Sequence, residues 1–273
     1  MTYRVIALDL DGTLLDRQKK ILPESLSALA LARQQGIKIV IVTGRHHSAI
    51  HPFYQALQLD TPAICCNGTY VYDYLTGKTS HTNPLSAAQA RSVLSMLQAF
   101  DIHGLMYADD AMYYQYPTGH VTRSQAWAST LPELQRPSFL QVEDLLQQTD
   151  ESDSIWKFAT SHADIPVLND FAGAVEKQLG LACEWSWQDQ VDIAQTGNSK
   201  GKLLQQWLAE QDISMKDVVA FGDNFNDISM LEGAGLGVAM GNSADEIKAR
   251  ADLVIGDHEE PGIAEVIRTR ILA

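Results

Sequence analysis

Positive charge is scarce in this sequence: 20 Lys and Arg stand against 34 Asp and Glu in 273 residues, a formal net charge of −14. Such a balance repels nucleic acid and anionic lipid surfaces, and no basic block offsets it locally. Cysteine is also scarce. Of the three, Cys65 and Cys66 are adjacent in an apolar run and Cys183 stands alone. Neither a disulfide framework nor a CxxC metal knuckle can be drawn from them, so a reducing, cytoplasmic setting is expected. Long hydrophobic runs are missing as well. The apolar stretch near the start is a few residues long and is interrupted by Asp9 and Asp11, short of a signal-peptide core or a membrane span. Repeats, low-complexity tracts and Pro-rich linkers are likewise not found.

The rest is ordinary globular composition, 45% hydrophobic and 20% charged, in a chain long enough for two domains. The first third alternates strand and helix. Residues 3–9 read as a short buried parallel strand, 23–35 as a helix with Pro at its start and Gly36 past its end, and 37–42 and 63–66 as further strands. The last third resumes the rhythm, with helices at 199–210 and 225–232 and strands at 218–221, 237–240 and 253–255. Between them the aromatics gather in amphipathic strands such as 104–108 and 154–159, separated by helical stretches at 87–100 and 165–179. The expected fold is α/β: a three-layer core with a parallel, Rossmann-like sheet, plus an inserted α+β cap domain. Residues 1–82 and 189–273 would form the two halves of the core and 83–188 the cap.

Four polar clusters fall at predicted strand or helix ends. Asp9-Leu10-Asp11-Gly12-Thr13 closes the first strand with two carboxylates at i and i+2, on one side of an extended chain and at the carboxyl edge where open α/β sheets bind ligands. A carboxylate after a buried strand is costly without a partner cation, and an oxygen pair suits Mg²⁺. Thr43-Gly44-Arg45 closes the second strand, where a hydroxyl and backbone N–H groups make a small oxyanion cradle; alone that signal is weak. Lys200 opens a helix, where its charge opposes the helix dipole unless an anion faces it. Gly222-Asp223-Asn224-Phe225-Asn226-Asp227 closes another strand; a capping turn explains one of its polar residues but not all four. Asp227 is placed to orient Lys200 or a bound water.

Taken in order, these motifs resemble those of the haloacid-dehalogenase-like phosphohydrolase superfamily, and the insertion after the third strand is similar to the cap of its Cof-type branch. The resemblance implies Asp9 as nucleophile and Asp11 as general acid, then general base. It implies Leu10, Thr43, Gly44, Lys200 and Asn226 as the phosphate-holding set, and Asp9, Asp11 (through water or backbone) and Asp223 as Mg²⁺ ligands. Arg45 and His46, directly after the cradle, are candidate substrate contacts. The His46-His47 pair and the Cys-Cys-Asn-Gly run at 65–68 further resemble phosphatases of pyridoxal 5'-phosphate, with sugar phosphates as the competing class. The implied partner is a small phosphorylated metabolite, without nucleic acid or membrane; oligomeric state is not readable.

Other signals weigh less. His47 and His51 stand four apart on a predicted helix, but lack an adjacent Glu or a third ligand for zinc. Gly77-Lys78-Thr79 has Tyr72 where a nucleotide-binding loop needs its first Gly, and Gly235 and Gly237 lack the third Gly of a dinucleotide fingerprint. Trp185 and Trp187 alternate in a strand and would share a face, as cap core or as a wall over substrate. A phosphomutase or a non-catalytic phosphometabolite-binding protein remain the rival functions. The second is disfavoured, because binding alone needs no nucleophile and no acid.

Overall fold

The computed structural model describes residues 3–117 and 119–272. In chain order its strands are β1 (Val5–Leu8), β2 (Lys38–Ile41), β3 (Ala63–Cys65), β4 (Tyr70–Asp73), β5 (Lys78–Ser80), β6 (His103–Ala108) and β7 (Ala111–Tyr114). There follow β8 (Phe139–Gln141), β9 (Ile155–Ser161), β10 (Ala182–Trp187), β11 (Gln190–Ala194), β12 (Val218–Gly222), β13 (Leu236–Ala239) and β14 (Leu253–Val254). The chain divides into two compact units. One comprises the described residues up to Gly44, Phe53–His81, and those from Ser199 onward; the other comprises Arg45–Pro52 and Thr82–Asn198.

In the first unit β14-β13-β12-β1-β2 form a parallel sheet. β1 is apolar at every position and fully buried, as a central parallel strand covered on both faces must be. One face, with Val5, Ala7, Val40, Val218 and Ala220, packs on Leu204 and Leu208 of helix Lys200–Ala209 and Met230 of helix Ile228–Gly233. Helices Pro23–Gln34 and Gly262–Val266 pack on each other, the former also against β2. Pro23 opens its helix at a position whose N–H would have no partner. The carboxyl ends of β1, β2 and β12 therefore emerge along one sheet edge, each followed by a polar turn. By sequence, residues 63–66 read as a further strand of this sheet. β3 touches β2 by the single bridge Val42–Ile64 and leads instead into the antiparallel sheet β3-β4-β5.

The second unit is a six-stranded sheet of order β10-β11-β9-β6-β7-β8. Its core joins Met106, Phe158, Val191 and Ile193 on one sheet face to Val93 and Leu97 of helix Ala87–Ala99, Leu145 of Leu145–Glu151, and Phe171 and Val175 of Ile165–Leu179. A Ser86–Gln89 capping box fixes the start of the first of these helices. The expected boundary at 188 falls inside the β10–β11 hairpin. β11 pairs with both β9 and β10, which carries the unit on to Asn198. Trp185 and Trp187 are separated by a register shift: Trp185 packs on the core and Trp187 is exposed. No helix among the described residues is long and apolar enough to cross a membrane.

Candidate active site

Asp9 follows the buried β1 and is itself 5% exposed. A lone carboxylate could not stay ionised there. Its compensation comes from Lys200, the first residue of its helix behind the Ser199 cap. Lys200 is fully buried, and its Nζ donates to Asp9 Oδ1 at 2.7 Å and to Asp227 Oδ1 at 2.6 Å. The other Asp227 oxygen accepts the backbone N–H groups of Asp223 (2.9 Å) and Asn224 (3.0 Å). Both oxygens of Asp227 are thus committed, and its work is to hold Lys200 and the turn after β12 in place.

Asp9, Asp223 and Asp227 each offer a carboxylate oxygen within 4.8 Å of the others, and among the described residues this is the group suited to a metal ion. Asp223 accepts a hydrogen bond from Thr13 Oγ1 at 2.8 Å. Burial, opposed by Lys200 and aided by the Asp227 and Asp11 charges, pushes Asp9 up to about 7. Asp223 is pushed well up, first by burial and then by the Asp9 and Asp227 charges. One lysine is too little positive charge for three crowded carboxylates. A divalent cation on Asp9 and Asp223 would supply the rest, and an all-oxygen donor set suits a hard ion such as Mg²⁺. Gly12 makes the crowding possible: it sits at φ +84°, and a Cβ there would lie 2.3 Å from Asp223 Oδ2. The Asp11 side chain is not in this group. It is a third exposed and pairs with Lys19 Nζ at 2.5 Å, so any share it has in metal binding falls to its backbone or to water.

Thr43 is buried behind β2. The Thr43-Gly44 turn is braced by a residue the motif spacing does not point to, Asn67. Asn67 donates its backbone N–H to the Thr43 carbonyl at 3.1 Å, and its Oδ1 accepts from Asn226 Nδ2 at 3.1 Å. A Cβ at Gly44 would stand 2.7 Å from that same Oδ1, so only glycine lets the turn approach. The sequence signal for Asn67 is the Asn-Gly pair after a short strand, where both residues take positive φ, +57° and +86°. Asn226 Oδ1 is shut off from solvent without a partner. Exchanging O and N in both amides keeps their mutual bond and turns an N–H₂ donor to that side, as an anion there requires.

The chain passes from Gly44 directly into the second unit. Arg45 lies with its guanidinium 4.6 Å from the Trp127 ring centroid and donates to the Ala49 carbonyl. His46 is fully buried. Its Nε2 donates to the Asp109 carbonyl at 3.0 Å and its Nδ1 faces Ser48 Oγ at 2.8 Å. With both nitrogens engaged, no ring nitrogen is left for substrate, and the expected substrate contact gives way to an anchoring role. His47 Nε2 meets Asp110 Oδ1 at 3.1 Å and sits in a short 3₁₀ turn, His47–Ala49, apart from the helix that begins at His51, so the zinc-like spacing is not realised.

These histidines are neutral by burial. His46 is pushed well below the usual range, and His47 and His120 down to about 4, in each case chiefly by desolvation. Because the folded values lie below the unfolded value near 6.5, the unfolded chain binds protons first. Stability is therefore intact above about pH 6.5 and is lost as pH falls toward 4. For His120 alone this is on the order of 2 kcal/mol between pH 7 and pH 5. Four of the five tryptophans (Trp127, Trp156, Trp185 and Trp187) lie in the second unit, so tryptophan fluorescence reports on it. The urea midpoint followed this way should drop clearly from pH 7 to pH 5; an unchanged midpoint would show that these rings are protonated in the fold.

A family model for haloacid dehalogenase-like hydrolases matches residues 6–267. The chain belongs to the haloacid dehalogenase-like hydrolase family. It is 58% identical to the pyridoxal phosphate phosphatase of Escherichia coli (strain K12), with 100% of each chain covered. It is 27% identical to a 5-amino-6-(5-phospho-D-ribitylamino)uracil phosphatase of Bacillus subtilis (strain 168), over 97% of this chain and 96% of that one. Among solved structures, a haloacid dehalogenase-like hydrolase from B. subtilis superposes with a TM-score of 0.85 at 26% identity, covering 98% of this chain and 100% of the other. One from Bacteroides thetaiotaomicron gives the same TM-score at 24% identity, over 98% and 99% of the two chains, and supports the fold alone. With these family members, this chain is an enzyme and a phosphatase.

Proposed function

We propose that the chain hydrolyses pyridoxal 5'-phosphate in the cytoplasm, with Mg²⁺, by way of a phosphoryl group carried on Asp9. The observation that carries the chemistry is the buried Lys200 ammonium, 2.7 Å from Asp9 and held from behind by Asp227. The substrate is supported by 58% identity, over the full length, to a phosphatase of that name, and the setting by three free thiols, two of them buried.

In the first step an Asp9 oxygen attacks phosphorus. The P–O bond to the alcohol breaks, and the departing oxygen takes its electron pair and a proton from Asp11. In the second step Asp11, now ionised, takes a proton from water; that oxygen attacks phosphorus, breaks the Asp9–P bond, and releases inorganic phosphate. Lys200 neutralises phosphate charge so that one anion can approach another, while Thr43, the Gly44 and Leu10 backbone and Asn226 hold the remaining oxygens. Mg²⁺ bound to Asp9 and Asp223 would supply Lewis-acid charge neutralisation at the phosphoryl oxygens. Asn67 keeps Thr43-Gly44 and Asn226 in mutual register. Lys19 holds the Asp11 carboxylate, exposed by a third, at the edge of the cluster.

The test is kcat/KM for pyridoxal 5'-phosphate against a panel of hexose and triose phosphates, with Mg²⁺ and in EDTA. Pyridoxal 5'-phosphate should lead, EDTA should stop turnover, Mg²⁺ should restore it, and Ca²⁺ should inhibit because its looser coordination spoils the in-line attack. A sugar phosphate that wins by tenfold or more, about 1.4 kcal/mol at the transition state, refutes the substrate. Full activity in EDTA refutes the metal.

A further inference from the structure

In the first unit, the chain between β1 and helix Pro23–Gln34 folds back on itself as a short hairpin. Leu15 bridges Ile21, the Asp16 N–H donates to the Lys20 carbonyl and the Lys19 N–H to the Asp16 carbonyl, both at 2.9 Å. Asp16 Oδ1 accepts the N–H groups of Gln18 and Lys20, each at 2.8 Å. A three-residue hairpin loop of this kind ends on a residue with positive φ, where glycine is the usual occupant. Here that residue is Lys19, at φ +61°. A side chain other than Gly, Asn or Asp is disfavoured in this conformation, so lysine is a poor choice for the turn itself.

What the lysine reaches is Asp11. Its Nζ lies 2.5 Å from Asp11 Oδ1, with the two side chains 37% and 33% exposed. An ion pair this open to water contributes little to the fold. The hairpin is also tied down without it. Asn242 Nδ2 donates to the Gly12 carbonyl at 2.9 Å, His258 Nδ1 to the Leu15 carbonyl at 2.6 Å, and the Arg17 N–H to Glu259 Oε1 at 2.6 Å. These tethers come from the segments that follow β13 and β14, and they fix the loop on both sides of Asp16. A disfavoured backbone position is therefore spent on a contact that stability does not require, and such positions gather at functional sites.

We propose that Lys19 is a positioning residue for the departure of the alcohol: it holds the Asp11 carboxyl group in the orientation from which the leaving oxygen is protonated. This rests on the reading of Asp11 as the general acid. In the first step the P–O bond breaks, its electron pair stays on the alcohol oxygen, and that oxygen takes the proton from Asp11. The negative charge left on Asp11 then faces an ammonium group already in place, so no reorganisation is needed as it develops. A half-exposed carboxyl group without that restraint spreads over rotamers from which no transfer to the leaving oxygen can occur.

Leaving-group chemistry separates this role from a structural one. An alcohol oxygen departs poorly without a proton, whereas p-nitrophenolate departs without one. The test uses the full chain with Mg²⁺ and the ratio of kcat/KM for pyridoxal 5'-phosphate over that for p-nitrophenyl phosphate, which reports the first step. In Lys19→Met, which keeps the stem, the ratio should fall tenfold or more. Lys19→Gly should show the same fall while unfolding at no lower a temperature than wild type, because glycine suits the turn. Asp11→Asn should lower the ratio at least as far, and adding Lys19→Met to it should lower the ratio no further, since both act on one proton. A ratio within threefold of wild type in Lys19→Met, equal losses on both esters, or a further loss on the Asp11→Asn background overturns the positioning role. So does a clearly lower unfolding temperature in Lys19→Gly, which would make the ion pair structural. An unchanged ratio in Asp11→Asn refutes the general acid itself, and the role of Lys19 with it. If a hexose 6-phosphate leads the wild-type panel it takes the place of pyridoxal 5'-phosphate in the ratio, since its leaving group is also an alcohol.

Discussion

Asp9→Asn should fold, bind substrate, and turn over at least about a thousandfold more slowly than wild type, a loss of roughly 4 kcal/mol. An amide is a poor nucleophile and forms no acyl phosphate, so the first P–O bond cannot pass to the protein. The surroundings of Asp9 predict a second, opposite effect. In the metal-free protein its pKa is raised to about 7, first by burial, against the pull of Lys200, and then by the neighbouring Asp227 and Asp11 charges. Since the folded value lies above the unfolded one, ionisation costs stability as pH rises from about 4 to 7, and above that the full cost is present. Asn removes that cost while leaving an amide oxygen for Lys200. In EDTA at pH 8 the variant should therefore unfold at a higher temperature than wild type, by an amount equivalent to a few kcal/mol. Loss of activity with a gain in stability separates a nucleophile from a structural aspartate. Retention of more than about one per cent of kcat, a deficit under roughly 3 kcal/mol, would sink the covalent mechanism.

The residues legible in the sequence are those whose position is set by local rules. Asp9 and Asp223 follow short buried strands, and parallel strands send their carboxyl ends to one edge whatever else the chain does. Lys200 follows a Ser that reads as a helix cap, and a cation there is conspicuous because the dipole disfavours it. Residues recruited by tertiary pairing were not legible. Lys157 and Asp192 stand 35 positions apart in strands whose apolar-polar alternation describes each alone, and only the β9–β11 register joins them. The β10–β11 hairpin hides for a similar reason. Its turn, Gln188-Asp189, carries no Gly or Pro, so local sequence does not mark the hairpin that carries the second unit on to Asn198. Trp185 and Trp187 look paired by period, and a bulge undoes the pairing. His46, beside the cradle in sequence, invited a substrate role; its two nitrogens are spent instead on Ser48 and the Asp109 carbonyl. Arg45–Pro52 packs with residues far along the chain, which no window of local sequence contains.

Lys200→Met should be more damaging to the fold than Asp9→Asn and nearly as damaging to catalysis. Methionine matches the length of the lysine stem and keeps its packing, so the change isolates the charge. Lys200 is 1% exposed, and its ammonium is held above the usual lysine range because Asp227 and Asp9 more than offset the cost of burying it. Without it Asp9, Asp223 and Asp227 face one another with no cation among them. Removing one partner of a buried charge network typically costs about 3–5 kcal/mol, and here the carboxylates can escape part of that only by taking up protons. Metal-free Lys200→Met should therefore be clearly less stable than metal-free wild type at pH 8, and should recover much of the difference at pH 5, where the carboxylates can protonate. Mg²⁺ should restore stability at pH 8, since it supplies charge to the same carboxylates. Activity should not return with it. The ammonium also meets the phosphate, in the ground state and as charge shifts in the transition state, so KM should rise and kcat fall together. The two readouts distinguish the possible roles of the residue. If Mg²⁺ rescues both stability and turnover, Lys200 only balances charge. If kcat/KM stays within about threefold of wild type, under roughly 0.7 kcal/mol, it does not touch the phosphate at all. A fold rescued by Mg²⁺ together with a deficit of a hundredfold or more in kcat/KM, about 3 kcal/mol or above, is the result that places Lys200 on the substrate.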